Sequence, residues 1–194
     1  MNHVHRVLKS LNCDGAWGMT LFAACAAILI LGLTGEHGRI LMRYDRAGLA
    51  GGEAWRLLTA HLVHLDLRHA LLNCCGLALM WALFARDYTG RQWLLVILGA
   101  MLAIDAGLWL FDSTVQWYVG SSGVLHGVMA AGALAHLRRR EPDGWVLTAF
   151  LAAKLTWEQW VGPLPLATGV VVVDAHLYGV IGGAVVAAFL KPGA

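Results

Sequence analysis

Residues 92–111 read QWLLVILGAMLAIDAGLWLF, twenty positions of nearly unbroken apolar sequence. A helix of about 20 such residues crosses the hydrocarbon core of a bilayer. Five further runs have the same character, at 17–34, 67–85, 122–137, 144–161 and 167–190. Charged turns separate some of them: Arg86-Asp87 with Arg91, and the string from Arg138 to Asp143. Asp112-Ser113-Thr114 and Gly162-Pro163-Leu164-Pro165 separate others. Of the 194 residues, 59% are hydrophobic and 13% charged, against about 25% charged in soluble domains. The reading is an all-α membrane protein, one domain over 1–194, built as a bundle of six transmembrane helices.

Composition also excludes classes. A net charge of +2, scattered along the chain, predicts no nucleic-acid partner. Cys13, Cys25, Cys74 and Cys75 form no CxxC pair and read as small buried hydrophobes. The first apolar run begins near Trp17 without a small-residue cleavage site after it, so no cleaved leader is expected. Lys and Arg orient the bundle. Arg6, Lys9, Arg86, Arg91, Arg138, Arg139, Arg140 and Lys191 fall at alternate ends of the runs, while 112–120 and 162–166 hold none. Both termini are therefore expected in the cytoplasm. Segment 35–66 breaks the rule with Arg39, Arg43, Arg46 and Arg56, partly balanced by Glu36, Asp45 and Glu53. It reads as a structured insertion lying at the interface.

Polar groups inside membrane helices are costly, so each is a functional candidate. Gly120-Ser121-Ser122-Gly123-Val124-Leu125-His126-Gly127 opens the fourth run. A serine there can be a plain N-cap. It can also be a nucleophile, because first-turn N–H groups stand ready to hold an oxyanion. In the last run His176, Gly179 and Gly183 share one face, which lets the histidine sit close to a neighbouring helix. Asp174 lies two residues before His176 and points elsewhere, so a Ser122–His176 pair would be a dyad. His69 and Asn73, four apart in the second run, can project an imidazole and an amide together. The rival reading of these histidines is a metal or haem site built on His64, His69, His136 and His176. No HExxH and no nearby carboxylate or thiolate at ligand spacing supports it; no metal and no cofactor are expected.

Together these residues resemble the rhomboid family of intramembrane serine proteases. The resemblance runs through Trp55-Arg56, the series His64, His69, Asn73, then Gly120-x-Ser122-Gly123, and Ala175-His176-x-x-Gly179-x-x-x-Gly183. It implies a partly membrane-embedded first loop anchored by Trp55 and Arg56, with Ser122 as nucleophile and His176 as base. It further implies an oxyanion site from the Ser122 N–H, His69 and Asn73, and a supporting role for His64. Many family members have a tyrosine where this chain has His126, which should face His176. The GSSGVLHG string is similar to the rhombosortase branch. Expected partners are thus membrane-anchored proteins with a transmembrane segment, ending in a Gly-Gly, hydrophobic-helix, basic-tail sorting signal. The implied location is a bacterial inner membrane, with the active site opening to the periplasm. A catalytically inactive, helix-binding relative is the alternative.

Overall fold

The structure is a computed structural model describing residues 3–163 and 171–193. Its helices are α1 (His3–Ser10), α2 (Gly15–Gly32), α3 (Gly35–Met42), α4 (Arg46–Ala50), α5 (Arg56–Thr59), α6 (Leu67–Phe84), α7 (Gly90–Leu110), α8 (Ser122–Arg138), α9 (Pro142–Trp160) and α10 (Asp174–Phe189). Two-residue strands β1 (Tyr44–Asp45) and β2 (Trp117–Tyr118) pair antiparallel, Tyr44 opposite Tyr118. That ladder is a small departure from the all-helical expectation. The sixth apolar run, read as 167–190, begins partly outside the described residues; within them its helix is Asp174–Phe189.

Local sequence explains the boundaries. Asp66 caps α6 by accepting the His69 N–H at 2.7 Å, and Thr89 with Gln92 forms a reciprocal capping box on α7, satisfying donors the first turn leaves free. Pro142 sits in the first turn of α9, where its missing N–H costs nothing. At the other end of α10, Arg138 donates to the carbonyls of Ala187, Ala188 and Leu190. These are carbonyls of the last turn, which a helix leaves short of partners, and that of Ala187 also accepts the capping Leu190 N–H.

Among the described residues three helices, α2, α6 and α7, are long and apolar enough to span a bilayer by length and composition. The other long helices differ for a physical reason. The α8 helix is the centre of the bundle, with ten buried residues, most of them Gly or Ala. Small residues let helix backbones approach closely where lipid provides no hydrophobic drive. Helix α9 carries Lys154 and Glu158, which lower its hydropathy. Large apolar side chains such as Phe22, Leu33, Leu102, Trp160 and Phe189 face outward, as suits a lipid solvent. An integral membrane protein follows from this distribution.

Segment 35–66 is ordered through specific bonds. The Arg56 guanidinium donates to the carbonyls of Ile40 and Arg43 and to the Glu53 carboxylate, and is only 7% exposed. Arg46 reaches across to the Leu108 carbonyl at 2.6 Å. Trp55 is half exposed and donates to the Leu41 carbonyl. Because β1 pairs with β2, the insertion is fastened to the chain that leads directly into α8. Basic residues gather at the opposite end. There Arg86 pairs with Asp14 and Arg139 with Asp87, whose carbonyl accepts from Gly193.

Candidate active site

Ser122 occupies the first position of α8 and His176 the third of α10. Their side chains meet only because α8 and α10 cross backbone to backbone. A Cβ on Gly123 would lie 2.7 Å from the Ala175 carbonyl oxygen, and one on Gly127 would lie 2.6 Å from that of Gly179. Added carbons at Gly179 and Gly183 would run into the carbonyls of Gly123 and Gly127 in turn. With nothing between the helices, Ser122 Oγ stands 3.0 Å from His176 Nε2.

The approach to α8 is equally confined. Gly120 has φ of +116°, a region open to glycine, and a side chain there would strike the His69 ring. Its N–H donates to the Ala60 carbonyl at 2.9 Å, and its own carbonyl accepts from the buried Tyr118 hydroxyl.

Both serine and histidine face a cavity of about 670 Å³ lined mainly by apolar side chains, among them Leu72, Met80, Trp117 and Phe150. The Rhomboid domain family matches residues 51–193, well over half of the chain and all of the residues just described. This chain belongs to the rhomboid family. It is also 26% identical over 136 residues to "Putative rhomboid protease YdcA" of Bacillus subtilis (strain 168), covering 70% of this chain and 67% of that one.

Of the other sequence-derived positions of this rhomboid protein, His126, His69, Asn73 and His64 cluster around the pair, whereas Trp55 and Arg56 stay within segment 35–66 and His136 lies with Asp87 and Asp143. His126 stacks on His176 with ring centroids 4.1 Å apart and planes 17° apart. Its Nδ1 donates to the Ser122 carbonyl at 2.7 Å, so it packs against the His176 ring without bonding to it. His69 accepts the Leu65 N–H at Nδ1 over a long 3.4 Å, which leaves the proton on Nε2 as a donor. Asn73 uses its amide N–H₂ on the His69 carbonyl at 3.0 Å, and its Oδ1 accepts from Ser121 Oγ at 3.1 Å. The Ser121 hydroxyl in turn lies 3.3 Å from His64 Nε2. The adjacent serines therefore have separate histidines, Ser122 with His176 and Ser121 with His64.

Sequence reasoning missed Glu158. From α9 its Oε2 accepts His176 Nδ1–H at 2.9 Å, and its Oε1 accepts the Lys154 ammonium at 2.5 Å. The carboxylate on His176 thus comes from the preceding helix, and Asp174 does not supply it. A signal was available: Lys154 and Glu158 are two ionisable residues four apart within an apolar run, hence on one face.

His126, Glu158 and His176 lie close enough to suggest a shared cation, but the geometry opposes it. Near-parallel stacked rings direct their lone pairs along separate planes, and both His176 nitrogens are engaged. A second group, His136 with Glu141 and Asp143, is already internally compensated. Both His136 nitrogens face carboxylates, Asp143 and Asp87, and Arg139 bridges Asp87 and Glu141.

Burial, then the neighbouring His69, pushes His64 down to about 4. An unfolded histidine titrates near 6.5, so between these values the unfolded chain binds more protons. Stability is full above pH ~6.5 and is lost progressively as pH falls through about 4. The melting temperature of His64→Gln, which keeps a polar partner for Ser121 but does not titrate there, should fall less over that window. A pH dependence identical to that of the parent would reject the assignment.

Proposed function

We propose that the protein is an intramembrane serine endopeptidase with six membrane crossings by α2, α6, α7, α8, α9 and α10. In this reading Ser122 is the nucleophile and His176 the general base. Rhomboid membership suggests intramembrane proteolysis in general; the observation that carries the specific reading is the 3.0 Å Ser122–His176 contact at the wall of the cavity. An inactive helix-binding relative would have no use for that contact.

The chemistry follows from the proton positions. His176 Nδ1–H is committed to Glu158, so Nε2 carries the lone pair that faces Ser122. As Oγ attacks the scissile carbonyl carbon, its proton passes to Nε2 and the carbonyl pair moves onto oxygen. The Ser122 N–H, at the helix start and without a backbone partner among the described residues, and His69 Nε2–H, on the same cavity wall, are the donors proposed for that oxyanion. Asn73 joins them by rotating its amide away from the His69 carbonyl. Collapse of the intermediate breaks the C–N bond, and Nε2–H protonates the leaving amine. A water then delivers its proton to Nε2 and its hydroxyl to the acyl carbon; the acyl–Oγ bond breaks and Nε2–H returns its proton to Oγ, regenerating Ser122 and the neutral His176.

A substrate helix must unwind to expose its carbonyl, which Gly residues favour, since each weakens a helix by about 1 kcal/mol relative to Ala. The substrates proposed are membrane-anchored proteins with a C-terminal Gly-Gly, hydrophobic-helix, basic-tail signal. The proposed setting is an inner membrane with both termini cytoplasmic and the cavity open to the periplasm. The test is co-expression with such a protein, reading loss of its tail, beside a matched substrate with Gly-Gly changed to Leu-Leu. Cleavage of the first, and little of the second, is expected. Equal cleavage of both would reject the Gly-Gly preference. Absence of cleavage together with absence of fluorophosphonate labelling would reject the hydrolase itself.

A further inference from the structure

Resting on the Ser122–His176 reading, we propose that Glu158, clamped by Lys154, is a positioning residue that completes a Ser–His–Glu arrangement and fixes the tautomer of His176. Three contacts hold the imidazole. His126 covers one ring face, Ser122 meets Nε2, and Glu158 takes Nδ1–H at 2.9 Å. Glu158 is 4% exposed, and a lone buried carboxylate would be costly. Lys154 compensates it from one turn earlier on the same face of α9.

The two carboxylate oxygens have separate duties. Oε1 takes the ammonium and Oε2 takes the imidazole N–H. During attack the proton on Nδ1 does not move. It stays on nitrogen, hydrogen-bonded to Oε2, while Nε2 gains the serine proton, so the carboxylate faces the imidazolium as its charge develops. The other titratable groups near the ring are His126 from α8, Lys154 from α9 and His69 from α6 across the cavity. None of these is an anion, so Glu158 is the only negative group that faces the ring among the described residues.

Lys154 makes the arrangement testable in an unusual way. An ammonium has only donors, so in E158Q it attracts the amide oxygen and turns the amide N–H₂ toward His176 Nδ1. That nitrogen must then accept, the ring proton moves to Nε2, and Ser122 loses its base. Inverting an imidazole tautomer by a carboxylate-to-amide change costs about 10⁴ in kcat in a serine protease triad. We therefore expect E158Q to lose roughly 10²–10⁴ of kcat, with KM for the transmembrane substrate unchanged. Adding K154M removes the ammonium and frees the amide to offer its oxygen to Nδ1–H. E158Q/K154M should recover at least ~10-fold of the lost kcat. A merely structural role predicts the reverse, a second buried change compounding the first in both melting temperature and rate.

The experiment measures kcat, KM and fluorophosphonate labelling on the full chain for wild type, E158Q, E158Q/K154M and Ser122→Ala. Wild-type kcat in E158Q, with Ser122→Ala inactive, overturns the proposal and leaves the nucleophile standing. A double variant no better than E158Q overturns the tautomer account. Activity in Ser122→Ala would instead remove the protease reading beneath it. If E158Q does not fold, the uncharged double variant decides alone: reduced kcat at unchanged KM supports the proposal, and wild-type kcat overturns it.

Discussion

Ser122→Ala is expected to abolish proteolysis and fluorophosphonate labelling, and His176→Ala to do the same, each lowering kcat by about 10⁶. On the proposed reading the two act as one unit, so the double variant should lose little more than either single one. The neighbouring serine makes this a sharper test than usual. Ser121 also has a histidine within reach, His64 at 3.3 Å, and could be mistaken for the nucleophile. Its hydroxyl, however, is given to Asn73 Oδ1, and burial disfavours the charged form of His64, which makes it a poor proton acceptor. Ser121→Ala should therefore keep labelling at Ser122 and lose only the restraint on Asn73, a drop within the ~10- to 1000-fold range of a damaged oxyanion donor. Labelling that survives Ser122→Ala but disappears in Ser121→Ala would transfer the nucleophile to the adjacent residue and undo the assignment.

How far these residues could be read before the structure depended on the distance over which each acts. Gly120-x-Ser122-Gly123 is a local motif, and four-residue spacings such as His69–Asn73 or Ser122–His126 report a shared helix face directly. Five apolar runs start and end within two residues of α2, α6, α7, α8 and α9, whereas the sixth, read from 167, meets a helix that begins at Asp174 in the described residues. Glu158 was different. Nothing in its spacing to His176 points to contact, because the two lie on successive helices, α9 and α10, and meet only when α9 folds back along α8 and α10. The same limit applies to β1 and β2, whose four residues lie some seventy positions apart in sequence and whose pairing is a tertiary event. His126 illustrates a half-legible case. Its face was given by spacing, but its hydrogen bond to the Ser122 carbonyl and its stacking on His176 required the packed bundle.

The backbone contact between α8 and α10 predicts the second large effect, that of a single methyl group. In Gly179→Ala the new Cβ points at the Gly123 carbonyl oxygen and its carbon, which belong to backbone and cannot turn aside. The helices must separate, and the residues carried on them separate too: Ser122 precedes Gly123 by one position, and His176 precedes Gly179 by less than one turn. Overpacking of this kind costs typically 1–3 kcal/mol of stability. The catalytic cost is larger in proportion, because a displacement of about 1 Å between reacting groups can lower a rate by about 10²-fold. Gly179→Ala should thus lower kcat by about 100-fold or more, with a reduced melting temperature and slower labelling of Ser122. Gly32→Ala serves as the comparison. That glycine ends α2, where an added carbon meets nothing within 4 Å, and alanine there should leave kcat unchanged and raise stability slightly. If Gly179→Ala behaves like Gly32→Ala, the spacing of α8 and α10 does not set the Ser122–His176 distance, and the close crossing is packing without catalytic consequence.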